Sequence, residues 1–354
     1  MKTIKNHNTT WGQEADKLND LFSEIALDGK LDYQTLNYQT PHFIKSSTPT
    51  AIEPDFIDQS PSVANVYAKF DRLADAHKPF FRKVGVIGES QLLIESDLLY
   101  STDATQYDIN EYELAKTGLS ANAPKLIITA CIHGEERTSM FALYYFIRDI
   151  LENGQKSKIL TYIKNNCRLL IVPLINPWGY QNDKRENGRN VDLNRNYDIN
   201  WETYVGAKGS AVFSESESIA IKTLVESNLD AFYLFDFHTR GQELIEGDDR
   251  FAGYMAGDAV NNQIFTAGVD VVVNGLYTGI IPNYGFVNVV QAGCNPSLYL
   301  WAAFVKLIPA SNPEFAQSMN NEAATIHSLE NNRQQTHYLA LLIQHVFNVF
   351  GKLV

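Results

Sequence analysis

Three continuous apolar runs dominate the pattern of hydrophobic and polar positions along the chain. They are KLIITACI at 125–132, CRLLIVPLI at 167–175 and AFYLFDF at 231–237. Runs of this kind are typical of strands that are buried on both faces of a sheet. Because helical stretches separate them, we predict an α/β fold in which a mixed, largely buried β-sheet has helices on both faces.

Helical periodicity is found before, between and after these runs. Apolar residues at helical spacing predict a helix over 62–77, and Pro79 is expected to end it. Ser214 and Glu217 have the spacing of a capping box at the start of a later helix. Further helices are predicted at about 136–152, 214–227 and 334–353, and shorter strands at 82–87, 92–96, 107–114, 286–290 and 324–329.

The composition of the chain changes near residue 60. Residues 1–60 are mostly polar and include Ser-Ser-Thr-Pro-Thr at 46–50, so we expect an N-terminal leader or arm of unknown role. The predicted helices and strands begin after this segment. We therefore expect a single folded domain over 61–354.

The charge balance narrows the classes of partner. The formal net charge is -12 and the isoelectric point is near 5.1, which argues against nucleic acid or an anionic membrane surface as the main partner. No apolar run reaches 18 residues, and the basic start of the chain lacks the apolar segment of a secretory signal. We therefore predict a cytoplasmic protein, with release by a non-standard route left open.

The three cysteines do not have the pattern of a disulfide framework, which agrees with that location. Cys131 and Cys167 lie in apolar runs and are expected to be buried as small hydrophobic residues, and the third cysteine is Cys294.

The first candidate for chemistry is His133-Gly134-Glu135-Glu136, which follows the run KLIITACI. The three-residue spacing between His133 and Glu136 allows an imidazole and a carboxylate to bind one metal ion. The alternative is structural, with His133 entering a helix and Glu136 favouring the helix dipole.

His238 is the second candidate, because it directly follows AFYLFDF. Two histidines and a glutamate form a known zinc ligand set that leaves a fourth position for water. The alternative is a hydrogen-bonded histidine at a strand end. Asp236 precedes His238 by two residues, where it either supports the histidine or is a solvated strand-end acid.

The third candidate is the polar segment NGRNVDLNRNY at 187–197, in which apolar residues are scarce. Arg185, Arg189 and Arg195 cluster there in an otherwise acidic protein. The planar guanidinium is suited to holding a carboxylate or an oxyanion. The alternative is a surface loop built from Asn and Gly turns.

Taken in order, these motifs resemble the zinc metallocarboxypeptidase family, the carboxypeptidase A-like peptidases. The resemblance adds Asn-Pro-x-Gly-Tyr at 176–180 and FSESES at 213–218, and it covers roughly residues 61–354, which would be the zinc peptidase catalytic domain. It implies a carboxypeptidase-like fold and a zinc cofactor held by His133, Glu136 and His238.

The same resemblance implies roles for residues of the polar segment. Asp192 fits the acid that hydrogen-bonds a zinc-binding histidine. Arg185 fits the arginine that polarises the scissile carbonyl, and Asn194 and Arg195 fit the pair that binds the terminal carboxylate of the substrate. Arg189 has no counterpart in the family, and a surface role is expected for it.

The resemblance also implies a general base near the end of a late strand. Glu330 fits that place, and Glu322 is the rival, although it precedes the predicted strand. The implied reaction is hydrolysis of a peptide bond next to a free C-terminal carboxylate by a zinc-bound water that Glu330 activates. The expected substrate is a peptide, or another amide, with a free carboxylate.

The chain departs from the family at the tyrosine that contacts the substrate carboxylate. Val290 occupies its apparent place, and Tyr284 and Tyr299 are nearby. Three alternatives therefore remain open: an amidohydrolase that deacylates N-acyl amino acids, a hydrolase of cell-wall peptides, and an inactive binding module on the same fold.

Overall fold

The structure is a computed structural model that describes residues 61–97, 102–153, 158–240, 251–256, 286–289 and 295–316. The predicted N-terminal arm, the predicted strand at 324–329 and the predicted helix at 334–353 lie outside the described residues. Glu330, Glu322, Val290, Tyr284 and Cys294 lie outside them as well.

The described part of the chain contains six α-helices and eight strands. The helices are α1 (Val63–Ala76), α2 (Arg137–Asn153), α3 (Lys158–Asn166), α4 (Pro177–Asn182), α5 (Ser216–Glu226) and α6 (Leu298–Phe304). The strands are β1 (Phe81–Glu89), β2 (Asp108–Leu114), β3 (Lys125–Ala130), β4 (Arg168–Val172), β5 (Tyr233–Arg240), β6 (Phe251–Ala256), β7 (Phe286–Val289) and β8 (Ala310–Ala316).

These strands form one mixed sheet in the order β1-β2-β4-β3-β5-β8-β6-β7. The centre is parallel, since β3 pairs with β4 and β5, and β5 pairs with β8. The β1–β2, β2–β4 and β6–β8 pairs are antiparallel. The three apolar runs therefore form the central strands β3, β4 and β5, as predicted.

Helices cover both faces of the sheet, which confirms the predicted fold class. In β3, Leu126 and Ile128 belong to one apolar cluster, and Ile127 belongs to the other. The first cluster contains buried side chains of α1, α2 and α3, and the second contains side chains of α5 and α6. This alternation is expected where successive side chains of a strand point to opposite faces.

The strand predicted at 92–96 is wrong. This segment is a turn in which Asp97 accepts a hydrogen bond from the backbone N–H of Ile94 at 3.0 Å. Leu93 is buried there, and its side chain lies close to Gly188. Leu93 thus anchors a turn, whereas Leu92 and Ile94 are exposed, and the segment pairs with no described strand.

The predicted capping box is also wrong. Helix α5 follows Glu215, which makes no side-chain capping bond. The Ser214 hydroxyl donates to the Glu215 carboxylate at 2.7 Å, and the Glu217 carboxylate accepts from the backbone N–H of Gln91 at 2.9 Å. Glu217 therefore ties α5 to the segment after β1.

Strand boundaries differ from the prediction in the second half of the chain. β5 extends through Arg240, so His238 lies within the strand and not after it. The strands β6 and β8 were not predicted, and neither was the short helix α4. None of the described helices combines the length and the apolar character that a membrane span requires.

Candidate metal centre

His133 and Glu136 lie in the turn that connects β3 to α2. The chain leaves β3 at Cys131, whose φ of 52° is in the left-handed region. The backbone N–H of Cys131 donates to the Ser139 hydroxyl at 3.3 Å, and that hydroxyl donates to the carbonyl of Glu136 at 2.6 Å. These bonds fix the turn against the start of α2.

The same turn also packs closely against the backbone of α4. A Cβ at Gly134 would overlap the backbone of Gly179 and Tyr180 in α4. The turn can therefore contact α4 only because residue 134 is a glycine.

His238 reaches this turn through the pairing of β3 with β5, in which Ala130 lies opposite Phe237. The ligand atoms of His133, Glu136 and His238 all lie within 4.8 Å of one another, and all three side chains are buried. His133 Nδ1 is 2.7 Å from Glu136 Oε1, and His238 Nδ1 is 2.9 Å from Glu136 Oε2. The structure thus brings together the three residues that the sequence motifs selected.

The second ring nitrogen of each histidine contacts a carboxylate. His133 Nε2 is 3.1 Å from Asp192 Oδ1, and His238 Nε2 is 3.0 Å from Asp236 Oδ2. Asp236 is 0% exposed and accepts a further bond from the Thr129 hydroxyl at 2.9 Å. Asp236 therefore supports His238, and the alternative of a solvated strand-end acid is wrong.

Glu136 is oriented from β5 as well as by the histidines. The backbone N–H of Thr239 donates to Glu136 Oε2 at 2.9 Å, and the Thr239 hydroxyl donates to the carbonyl of Glu136 at 3.1 Å. Each of the three candidate ligands is thus held by at least one partner outside the trio, an arrangement typical of protein metal sites.

Negative charge predominates in this cluster. With both imidazoles neutral, the carboxylates of Glu136, Asp192 and Asp236 outnumber the one guanidinium that contacts them among the described residues, that of Arg185, so negative charge is in excess. Burying such an excess is costly unless a cation compensates it. A divalent cation held by two imidazoles and a carboxylate would do so, and these are ligands that zinc accepts. The residues therefore fit zinc.

The pKa shifts of the three candidate ligands reflect the charges of their neighbours. Burial alone would lower the pKa of His133, but the charges of Glu136 and Asp192 outweigh it and raise that pKa. The pKa of His238 is raised well above its usual value, because Glu136 and Asp236 outweigh its burial. For Glu136, burial would raise the pKa, but the two histidines hold it below the usual range.

Arg185 lies directly beside the trio. Its Nη1 is 3.1 Å from His133 Nδ1 and 3.5 Å from Glu136 Oε1, and its Nε donates to Asp192 Oδ2 at 3.1 Å. Its side chain is 38% exposed, so the guanidinium also faces solvent. Burial would lower the pKa of Arg185, but Asp192 and Glu136 outweigh it and raise that pKa, which keeps the group charged.

Asn194 and Arg195 follow Asp192 in a short 3₁₀ helix, Leu193–Arg195. Asn194 is buried, and its Oδ1 accepts from the backbone N–H of Leu298 at 3.0 Å. Arg195 is partly buried, with Nε donating to the Tyr204 hydroxyl at 3.0 Å and Nη1 donating to the carbonyl of Asn194 at 2.7 Å. Among the described residues, Asn194 Nδ2 and Arg195 Nη2 have no hydrogen-bond acceptor.

Arg189 does not belong to this cluster. Its guanidinium lies 3.5 Å from Asp97 and 3.8 Å from the buried carboxylate of Glu215. It holds the polar segment against α5, so a structural role replaces the expected surface role.

Two acidic residues near the cluster were assigned no role from the sequence. Glu135 is half-buried, with Oε1 3.9 Å from Arg185 Nη1. Burial and the charge of Glu136 raise its pKa. In the backbone register of β8, Glu314 lies opposite His238. The signal for Glu314 was weak, because its strand, ASNPEFA, contains Asn and Pro.

A comparison with known protein families matches the segment of the chain that contains these residues. The family described as zinc carboxypeptidase matches residues 94–259 of the chain. That segment contains all three candidate ligands and the polar segment with Arg185, Asp192, Asn194 and Arg195.

Curated relatives match shorter parts of the chain. Mast cell carboxypeptidase A of Homo sapiens is 26% identical over 160 residues, covering 38% of this chain and 38% of that protein. Carboxypeptidase M of Mus musculus is 27% identical over 202 residues, covering 51% of this chain and 45% of that protein. The chain therefore spans less than half the length of these relatives.

Solved structures resemble the fold of this chain over more of its length. The carboxypeptidase A of Helicoverpa armigera superposes with a TM-score of 0.62 at 18% identity, covering 92% of this chain and 80% of that one. A metallo-carboxypeptidase of Burkholderia cenocepacia gives a TM-score of 0.60 at 12% identity, covering 82% of this chain and 70% of that one. The fold is thus carboxypeptidase A-like.

Proposed function

We propose, from the premise that this chain belongs to the zinc carboxypeptidase family, that it is a zinc-dependent peptidase acting next to a free C-terminal carboxylate. The observation that carries the proposal is the convergence of His133, Glu136 and His238 beside Arg185. In this proposal the three residues hold zinc, and Asp192 and Asp236 fix the ring orientation of the two histidines. Bound zinc supplies Lewis acidity, which lowers the pKa of water and polarises a carbonyl oxygen.

Arg185 stabilises the negative charge that develops on the carbonyl oxygen of the substrate. Its guanidinium is held by Asp192, stays charged and is exposed enough to donate to that oxygen. A donor that is already oriented needs no reorganisation during the reaction, so its interaction with the developing oxyanion is strong.

Asn194 and Arg195 bind the terminal carboxylate. The Nδ2 of Asn194 and the Nη2 of Arg195, which have no acceptor in the described part of the chain, are donors carried by adjacent residues of one short helix. A guanidinium and an amide suit the planar carboxylate group. The backbone N–H of Asn194 donates to Asp192 Oδ1, the oxygen that also contacts His133, and this link to the candidate metal ligands supports the assignment.

A glutamate takes a proton from the attacking water and returns it to the leaving amine nitrogen. Glu330 remains the residue that we propose for this role, by resemblance to the family. Glu314 is the rival, because β8 places it opposite His238 in the sheet register. Glu330→Gln and Glu314→Gln variants, each assayed with bound zinc, would separate the two.

The test of the function is cleavage of one peptide in two forms, with a free C-terminal carboxylate and with a C-terminal amide. We expect the zinc-loaded protein to release only the last residue of the free form. The amidated form should react about 30-fold more slowly or worse, because losing one partner of a buried charge pair costs roughly 2 kcal/mol or more.

An N-acyl amino acid and purified muropeptides complete the panel, and protein treated with a chelator is the control. Equal cleavage of the amidated peptide would contradict recognition of a terminal carboxylate. Faster hydrolysis of the N-acyl amino acid would favour the amidohydrolase alternative, and faster hydrolysis of muropeptides would favour the cell-wall alternative. Zinc-loaded protein that is inert towards the whole panel would favour the inactive binding module.

A further inference from the structure

A cavity apart from the metal ligands extends from the start of β3 to the middle of β2. It has a volume of about 660 Å³ and is walled by β1, β2, β4, the start of β3 and the last turns of α5. Lys125, at its edge, begins β3, whereas His133 follows the other end of that strand. At about 3.3 Å per residue, the length of β3 separates this edge of the cavity from the metal ligands by roughly 16 Å. The volume is typical of small-molecule sites.

Glu111 is the unusual residue of this cavity. It lies in the middle of β2, lines the cavity and is only 7% exposed. Among the residues that the structure describes, none donates a hydrogen bond to its carboxylate or forms an ion pair with it. Burial raises its pKa. A buried carboxylate without a partner is costly, so a complementary group from a ligand would stabilise it.

The other charged groups of the cavity already have partners. Glu113 pairs with Arg168 and also with Arg82. Lys125 Nζ is 2.6 Å from Asp230 Oδ1 and also donates to the side chain of Asn228 at 3.0 Å. Among the charged groups that line the cavity, Glu111 is therefore the one that has no partner in the part of the chain that the structure describes.

The remaining wall is largely apolar. Leu170 of β4 and Ala220 and Leu224 of α5 line the cavity, together with Val84 and Ile87 of β1. We propose that this cavity binds a small organic amine, whose ammonium group pairs with Glu111 and whose apolar body packs against Leu170 and Leu224. The site is separate from the metal centre and does not depend on the proposed peptidase activity.

Phenethylamine is a suitable probe, because it joins an ammonium group to an apolar ring. Titration calorimetry would compare it with 2-phenylethanol and 3-phenylpropionate, the neutral and anionic analogues. The full chain carrying His238→Ala would be used beside the wild type, so that binding at the metal centre is recognised. We expect phenethylamine to bind both proteins alike and at least about tenfold more tightly than either analogue, as expected for a charge-assisted bond.

Two variants test whether phenethylamine binds in the cavity. Glu111→Gln should weaken phenethylamine binding at least about tenfold, whereas Glu89→Gln, at an exposed position of β1, should leave it unchanged. Thr223→Trp, at the exposed rim on α5, should block the cavity without touching Glu111. Binding that survives both Glu111→Gln and Thr223→Trp, or an alcohol that binds as tightly as the amine, would overturn the proposal.

Discussion

Asp192 serves two partners with one carboxylate. Its Oδ1 contacts Nε2 of His133, and its Oδ2 accepts from Nε of Arg185. Burial would raise the pKa of Asp192, but His133 and Arg185 outweigh it and lower that pKa. The orientation of a candidate metal ligand and that of a candidate oxyanion donor are therefore coupled through a single side chain.

Asp236 contacts His238 but not Arg185 among the described residues, so its effect on a candidate metal ligand can be measured separately from that on Arg185. We expect Asp236→Asn to weaken zinc binding about 10- to 100-fold, because the amide supports the His238 ring less well than a carboxylate. Competition with a chelating dye would measure the zinc affinity. Asp198→Asn, at an exposed position, is the matched control and should change nothing. Equal zinc affinity in both variants would contradict the role of Asp236.

Arg185 allows a test of oxyanion stabilisation. If the proposed reaction is correct, Arg185→Ala should lower kcat about 10²- to 10³-fold, the usual loss for one such donor. Arg189→Ala removes an arginine from the same segment but at a distance from the metal ligands. That control should lower stability and leave kcat nearly unchanged. Comparable losses of kcat in the two variants would show that Arg185 has no special part in the reaction.

Residue types and their order were sufficient to predict the candidate metal ligands, because a metal site needs few side-chain chemistries at strand ends. They were insufficient for Asp236, whose two interpretations differ only in burial and in its distance to His238. Sequence spacing does not supply those quantities. The contacts of Arg189 were missed for the same reason, since its partners Asp97 and Glu215 are remote in the sequence.

At the scale of elements, the turn between β3 and α2 depends on its contact with α4. Gly134→Ala would place a methyl group against the backbone of Gly179 and Tyr180. We expect it to lower the free energy of unfolding by about 3 kcal/mol and to weaken zinc binding, since backbone cannot move aside as a flexible side chain can.

Gly118→Ala is the control for Gly134→Ala, with unfolding followed in urea. Gly118 has φ of 79° and nothing within 4 Å of an added Cβ, so the cost should be the backbone strain alone, roughly 1 kcal/mol. A smaller loss for Gly134→Ala than for Gly118→Ala would contradict the close approach to α4.

The strands that could be predicted from the sequence are the ones that are buried on both faces of the sheet. β3, β4 and β5 were predicted because strands covered on both faces are continuously apolar. The short strand FAGYMA of β6 and the Pro-containing β8 carry no such signal, and their place in the sheet is set by tertiary pairing. The segment at 92–96 is apolar but forms no strand, because Leu93 packs against a loop at Gly188 while Leu92 and Ile94 are exposed.

At the scale of the whole molecule, stability should depend on pH through Glu217. Burial raises its pKa from 4.5 to about 7. The stability contributed by the protonated form is therefore complete below about pH 4.5 and is lost as the pH rises through about 7. Glu217→Gln should raise the free energy of unfolding at pH 8, by up to about 3 kcal/mol, and change it little at pH 4.

Urea unfolding at both pH values would measure this effect. Glu202→Gln, at an exposed position, is the control and should show no pH-dependent difference from the wild type. The same change in unfolding free energy for Glu217→Gln at pH 4 and pH 8 would contradict the argument.

The pairing of β3 with β5 has a consequence for the order of events in refolding. Glu136 and Thr239, which hydrogen-bond across the metal centre, are 103 residues apart in the chain. Contacts of such separation form slowly, because a long loop must close before they are gained. The ligands on either side cannot meet before the central strands have aligned. Zinc should therefore bind late, and stopped-flow detection of its uptake would time the completion of the sheet and not its nucleation.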